Sequence, residues 1–252
     1  MKLLTLARDL RRRKARERQR LFAAEGVRAV EELLRSPLAI RGVLAAPQLA
    51  DAPRGAALLA ALRQHDAELT EVTALEFASA AETESPQGVL AIAEIPERSL
   101  DHLALPPRAR LVLLDGVQDP GNVGTIVRTA AALGAAAVLT LPGTVDLWNA
   151  KVVRSAMGAS FHAPAFSCTW EQLDVFRQRE GVTLWGADAG GTTLESLVAP
   201  ARLALVVGNE GAGLSAEARA RVAVLASLPI SSAIESLNVA VATGILLYQL
   251  RT

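Results

Sequence analysis

The stretch 111–134, LVLLDGVQDPGNVGTIVRTAAALG, does most to limit what this chain can fold into. Leu111 to Leu114 is an unbroken apolar run, the pattern of a parallel strand covered on both faces rather than one with a wet side. Asp115 and Gly116 end the run. Asp119, Pro120 and Gly121 then read as a helix start: the Asp119 carboxylate can accept from free N–H groups, and proline suits the first helical position. Asn122 and Arg128 follow where strand hands over to helix, the place where open parallel sheets take up ligands. Six residues of ideal helix turn through about 600°, so these two do not share a face. They converge only if Asn122 lies in the loop or an irregular first turn, or if two subunits contribute one each.

The alternation of strand and helix continues on both sides. Strands are expected at 110–115, 136–141, 182–187, 202–207 and 222–228, with helices at 121–134, 148–158, 170–179, 215–220 and 237–250. Ahead of these, 3–21, 24–34 and 55–65 read as helices, and 40–45, 68–73 and 87–95 as strands. The helix at 24–34 stops before Ser36-Pro37, because the residue preceding proline avoids the helical region. Residues 96–107, PERSLDHLALPP, hold three prolines and read as a linker. The expectation is α/β throughout, with one domain over 1–95 and a second over 108–252. Between Val239 and Leu247 only Thr243 is polar, so the last helix needs cover on most sides, which a homodimer interface would supply.

Composition excludes more than it assigns. Formal net charge is zero, so no whole-molecule field draws the protein to nucleic acid, yet 8–20, RDLRRRKARERQR, holds eight basic residues against two acidic ones. Only three of the 26 basic residues are lysine. Arginine favours forked phosphate recognition, although a GC-rich genome produces the same bias. Cys168 is the only cysteine and His65, His102 and His162 are scattered, so neither a disulfide nor a metal centre is expected. No apolar run approaches the roughly 18 residues of a membrane span, and LLTLA is too short for a signal-peptide core. A soluble, cytoplasmic protein is the reading.

Two further stretches can carry chemistry. In 203–215, LALVVGNEGAGLS, an apolar strand runs into Gly208, Asn209, Glu210, Gly211 and Gly213, where bare backbone allows positive φ and close approach of a ligand. The spacing is not G-x-G-x-x-G, so a dinucleotide fingerprint is not met, and no Walker-type phosphate loop occurs. In 228–247, LPISSAIESLNVAVATGILL, a strand closes at Pro229 and Ile230, a Ser-rich loop follows, and Ser236 and Asn238 bracket Leu237 at a helix start. Ser236 reads most simply as the cap of that helix. Asn238, inside it, would need a polar partner.

Taken together and in this order, the N-x-x-x-x-x-R helix start, the G-N-E-G-x-G-L-S loop and the S-L-N-V helix start resemble the three motifs of the SpoU/TrmH family. These are knotted RNA ribose methyltransferases of the SPOUT superfamily that use S-adenosylmethionine. The resemblance covers 108–252. It extends to the front, where RLFAAEGVRAVEELL and SPQGVLAIAE are similar to a small ribosomal-protein-like RNA-binding domain. It implies a deep trefoil knot in a mostly parallel sheet with helices on both faces, a topology outside the ordinary rules of chain connection.

It further implies a cofactor pocket built by Gly208, Asn209, Gly213, Ile230 and Leu237. Arg128 would act at the ribose hydroxyl, with Asn122, Glu210, Ser236 and Asn238 positioning it and the RNA. A guanidinium is normally always charged, so holding a phosphate and stabilising the developing alkoxide suits Arg128 better than acting as base. The basic run, through Arg11, Arg12, Arg13, Lys14, Arg16 and Arg18, would hold RNA by its phosphates. The implied protein is a homodimer acting on ribosomal RNA, with transfer RNA open. The competing readings are a knotted base methyltransferase, a non-catalytic RNA-binding assembly factor and, more distantly, a dinucleotide-dependent oxidoreductase.

Overall fold

Residues 2–231 and 234–251 are described by the computed structural model. The Ser-rich turn expected after Ile230 lies partly outside them. Two compact units emerge, one from Met1–Glu97 with Trp148–His162, the other from Arg98–Leu147 with Ala163–Thr252.

In the first unit, α1 (Lys2–Asp9), α2 (Arg13–Gln19), β1 (Leu21–Glu25), α3 (Val27–Leu34), β2 (Ile40–Ala45), α4 (Pro53–Leu62), β3 (Leu69–Glu71), α5 (Ala74–Ala80) and β4 (Val89–Glu94) follow in order. The sheet runs β1-β4-β2-β3, with β4 antiparallel to both neighbours and β2 parallel to β3. The single helix expected over 3–21 is two, because the chain turns at Leu10–Arg12. The Arg16 guanidinium folds back into that turn and donates to the carbonyls of Leu10 (2.8 Å) and Arg11 (3.0 Å). Residues 21–25, partly assigned above to a helix, are a strand: Phe22 and Ala24 alternate inward and pair with β4. Helix α5 was not expected, although its Thr73-x-x-Glu76 spacing is a capping box, both halves of which form.

The second unit opens with β5 (Ala109–Asp115), α6 (Pro120–Ala132) and β6 (Ala137–Thr140). Helices α7 (Ala150–Ala156) and α8 (Ala159–His162) then join the first unit, where Trp148 and Phe161 pack on Phe22 at ring-centroid distances of 4.4 and 5.7 Å. This excursion interrupts the segment expected to form the second domain alone. The unit resumes with β7 (Ala165–Ser167), α9 (Trp170–Glu180), β8 (Thr183–Thr193), β9 (Arg202–Gly208), α10 (Ala216–Arg221), β10 (Val224–Ser227) and α11 (Val239–Leu250). Nor is 96–107 a free linker from Arg98 onward. Leu100 and Leu105 enter the second unit's core, and Arg202 donates to the carbonyls of Leu105 and Pro106.

All six strands of the second sheet are parallel, in the order β10-β8-β9-β5-β6-β7. Every residue of central β5 is buried, as its apolar run requires. Leu111, Leu113, Leu139 and Val206 share one core with residues of α9 and α10. Helix α6 contacts β6, and α11 contacts both β9 and α6. Gly244 permits that last approach, since a Cβ there would sit 3.3 Å from the Thr129 methyl. Buried Arg110 ties down the far end of α11, donating to the Leu250 carbonyl at 2.6 Å and to the carbonyls of Ala109, Pro200 and Ala201. Within one chain α11 is covered on one side only. Val241, Ile245 and Tyr248 form a stripe that is 52%, 40% and 56% exposed.

Candidate functional site

Parallel register places Asp115 opposite Gly208, so the loops that leave β5 and β9 emerge at the same edge. Each loop is held by its own polar groups. Asp119 caps α6 by accepting from the Asn122 N–H at 2.8 Å, and Pro120 occupies the first turn. Buried Asp115 accepts from the Ser215 N–H at 2.7 Å, joining the end of β5 to the start of α10. Asn209 folds the glycine turn, accepting from the N–H groups of Gly211 (3.0 Å) and Ala212 (2.9 Å) and donating to the Gly116 carbonyl (2.9 Å). Neither Asp115 nor Asp119 was singled out as a site residue; strand-end and cap positions were their only marks in the sequence.

Gly208 is required for a reason other than ligand clearance. A Cβ there would lie 2.2 Å from the carbonyl carbon of Gly213, whose own φ of +68° is the left-handed conformation glycine favours. The turn closes on itself so tightly that its returning backbone fills the space of a side chain.

Glu210 reaches from this turn to the start of α6. Its carboxylate accepts from the Asn122 amide at 3.0 Å and from the N–H groups of Asp119 (3.1 Å) and Gln118 (3.2 Å). Asn238 donates to the Asn122 side-chain oxygen at 3.0 Å. Burial would raise the Glu210 pKa, but the bonds from the Asn122 side chain and from backbone N–H groups outweigh it and hold the carboxyl below its ordinary value. The amide of Asn122 is thus fixed in orientation by an acceptor on one side and a donor on the other.

The start of α11 differs from the expectation. The helix begins at Val239, and its cap is Asn238, whose side-chain oxygen accepts from the N–H groups of Ala240 (2.9 Å) and Val241 (3.2 Å). Ser236 lies outside the helix and is exposed. Asn238 therefore satisfies both its local backbone and Asn122, two roles that a buried interior amide could not combine.

These loops surround a cavity of about 620 Å³. Gly208, Asn209 and Gly213 form one wall, and Ile230, Leu237 and Val239 another. Glu210, Ser236 and Asn238 also face it, as does Asp188, which is paired with Arg219. Bare backbone beside aliphatic side chains and a few carboxylates is the lining that a flat, amphipathic, positively charged ligand needs.

Arg128 is not drawn in. It is exposed on α6, outside the cavity lining, and makes no hydrogen bond or ion pair among the described residues. Asn122 sits within the first regular turn of α6, so the 600° argument applies and the two residues diverge within one chain.

The basic run of the first unit is also sorted by its geometry. Arg11, Arg12, Arg13, Lys14 and Arg18 are exposed, with Arg13 paired to Glu17 and Arg18 to Asp9. Arg16, expected to face RNA, is only 4% exposed and holds the α1–α2 turn instead.

A parallel sheet with a glycine turn and two helix starts meeting at its carboxyl edge defines a ligand-binding α/β domain, and the sequence places it more closely. Residues 109–248 match the SpoU rRNA methylase family and residues 5–91 the MRM3-like substrate binding domain. The chain belongs to the SpoU rRNA methylase family. It is 35% identical, over 96% of its length and 93% of the relative's, to the 23S rRNA (guanosine(2553)-2'-O)-methyltransferase RlmP of Bacillus subtilis. Among solved structures, the SpoU methyltransferase AviRb of Streptomyces viridochromogenes in complex with AdoMet superimposes with a TM-score of 0.88 at 28% identity, over 98% of this chain and 96% of that one. The AdoMet-bound rRNA methyltransferase of Sinorhizobium meliloti does so with a TM-score of 0.83 at 30% identity, over 98% and 93%.

Proposed function

We propose that this protein transfers a methyl group from S-adenosylmethionine to a ribose 2′-hydroxyl of ribosomal RNA, as a cytoplasmic homodimer whose second unit is threaded as a trefoil knot. The observation that carries the reading is the Glu210–Asn122–Asn238 chain of hydrogen bonds at the mouth of the cavity, which links all three motif loops.

The cavity suits the cofactor. Gly208 and Gly213 offer backbone groups, Ile230 and Leu237 offer apolar surface to an adenine ring, and Glu210 puts negative charge near a sulfonium. When bound, S-adenosylmethionine supplies an electrophilic methyl on a sulfur whose positive charge disappears during transfer. The protein's part is position and field. Asn122 and Asn238, locked by their mutual bond, orient the RNA sugar for in-line approach. Arg128 holds an adjacent phosphate and stabilises the developing alkoxide. Aliphatic walls keep water from the reacting atoms.

Two features of one surface support the dimer. The Val241–Ile245–Tyr248 stripe of α11 is exposed, and Arg128 on neighbouring α6 makes no hydrogen bond or ion pair among the described residues. Pairing two chains through this region covers the stripe and lets one chain's Arg128 serve the other's cavity. Exposed Arg11, Arg12, Arg13, Lys14 and Arg18 hold RNA phosphates, giving affinity that falls with salt.

The test is transfer of labelled methyl from S-adenosylmethionine to ribosomal RNA, followed by alkaline digestion. A labelled, alkali-resistant dinucleotide is expected. Label released as a methylated base, or no transfer despite cofactor binding by calorimetry, would replace the reading with a base methyltransferase or an RNA-binding scaffold.

A further inference from the structure

A second cavity, of about 730 Å³, lies wholly within the first unit, at the edge where β1, β2 and β3 begin and β4 ends. Its floor is apolar: the half-buried side chains of Leu6, Leu21, Leu38 and Ile95. The backbone beneath is already satisfied, with the Ile95 N–H bonded to the Arg20 carbonyl (2.8 Å) and the Glu94 N–H to the Ala39 carbonyl (2.9 Å). Anything that enters therefore meets side chains.

The rim is polar and only partly neutralised. Arg41 and Glu94 pair with each other at 2.6 Å. Among the described residues the Glu68 carboxylate accepts only a long bond from the Thr70 hydroxyl, at 3.3 Å. Lys2, Arg20 and Glu97 are exposed and make no hydrogen bond or ion pair through their side chains among the described residues. Arg20 is unusual in a second respect. It ends α2 in the left-handed conformation, at φ +57°, where glycine is the ordinary residue. Its side chain is thus carried at a strained position on the cavity rim, with no side-chain hydrogen bond or ion pair among the described residues to offset that strain.

An apolar floor takes the face of a base, a carboxylate takes adjacent N–H donors, and an unpaired guanidinium takes a phosphate. Guanine presents two neighbouring donors, N1–H and the 2-amino group, that match a carboxylate, whereas uracil presents one. The volume falls in the range of small-molecule sites and exceeds that of one nucleotide. Resting on the reading above that RNA is the substrate, we infer that this cavity receives an unpaired guanine nucleotide of the RNA, its base edge on Glu97 or Glu68 and its phosphate on Arg20. The first unit then does more than hold the backbone through the α1–α2 run: it registers the RNA by one splayed base.

The experiment uses the full-length protein and three readouts. GMP and UMP are titrated by calorimetry at low salt, binding of a ribosomal RNA transcript is followed against salt concentration, and thermal melting is recorded. Wild type is expected to bind GMP at least fivefold more tightly than UMP. Arg20→Gly removes the strained residue, so its melting temperature stays the same or rises, while GMP binding weakens about tenfold. Losing one phosphate contact lowers the log–log salt slope by about one. Glu97→Gln reduces the preference for GMP over UMP. Equal GMP and UMP affinities, or an Arg20→Gly protein that matches wild type in both GMP binding and salt slope, overturns the inference. Methyl transfer by the same wild-type preparation separates the two readings. Transfer to ribosomal RNA with no guanine preference removes the cavity assignment alone, and guanine-selective binding that depends on Arg20 without any transfer removes the methyltransferase reading alone.

Discussion

Replacing Glu210 by glutamine isolates what the motif bridge contributes. Two donors, the Asn122 amide and the Asp119 N–H, share Oε1, and the Gln118 N–H uses Oε2. In Glu210→Gln the shared oxygen remains a carbonyl, so the new amide nitrogen must face the Gln118 N–H, donor against donor. One bond becomes a repulsion and two lose their charge. A hydrogen bond to a charged group contributes roughly 1.5–3 kcal/mol when sheltered. Glu210 is exposed, so solvent screening leaves about 1 kcal/mol for the set, or roughly 2–4 °C in melting temperature.

Activity should fall further than stability, because Asn122 also sets Asn238, and a displacement near 1 Å at reacting groups lowers rates by up to about 100-fold. A loss of about 10- to 100-fold in kcat/KM is expected. The pH dependence supplies an independent check. Burial raises the Glu210 pKa, but the bonds it accepts lower it more, and the net value lies below the ordinary 4.5. A carboxyl depressed on folding stabilises the protein above its unfolded pKa and loses that contribution as pH falls through the folded value. The stability gap between wild type and Glu210→Gln, measured by urea unfolding, should be full at pH 7 and 6 and shrink once pH drops below 4.5. A gap that persists unchanged in acid, or a variant whose kcat/KM stays within twofold of wild type, would refute the reasoning.

Gly208→Ala forces a Cβ to within 2.2 Å of Gly213 backbone, so it should lose about 1–3 kcal/mol by thermal melting and S-adenosylmethionine binding by calorimetry. Ile245→Asp places a charge in the exposed stripe of α11; sedimentation should show wild-type dimers and variant monomers of unchanged circular dichroism, with methyl transfer lost alongside dimerisation. In mixtures, Arg128→Ala chains combined with Asn122→Ala chains should recover part of the wild-type rate if each cavity takes its arginine from the other chain; no recovery would place both groups in one subunit. Cys168 is buried and its thiol is pushed up to about 12 by desolvation, so an aromatic disulfide reagent should react with it only as fast as the protein opens, and the rate should rise steeply in mid-range urea.

Local chemistry was written plainly at some positions and not at others. The run 111–114 read as a covered strand and Asp119-Pro120 as a helix start, and both form, because apolar continuity and capping act over a few residues. The strand at 21–25 escaped because its alternation is two alanines and a phenylalanine beside a long basic helix, and only pairing with β4, far along the chain, fixes it. The helix expected at 148–158 forms at Ala150–Ala156 but groups with the first unit and not the second: what it packs against depends on Phe22, which no local pattern connects to Trp148.

At the site, the sequence alone determined the residue types: an amide and an arginine at one helix start, a glycine turn with a carboxylate, a second amide at the last helix. It also determined, through 3.6 residues per turn, that Asn122 and Arg128 diverge within one chain. Only the tertiary structure decided that Glu210 bridges to Asn122, that Asn238 caps its own helix while holding Asn122, and that Arg16 turns inward whereas the Arg20 side chain is exposed. Capping, strand burial and helical phase depend on nearest neighbours along the chain. Which carboxylate meets which amide depends on sheet order and register, and those are set by the packing of segments about a hundred residues apart.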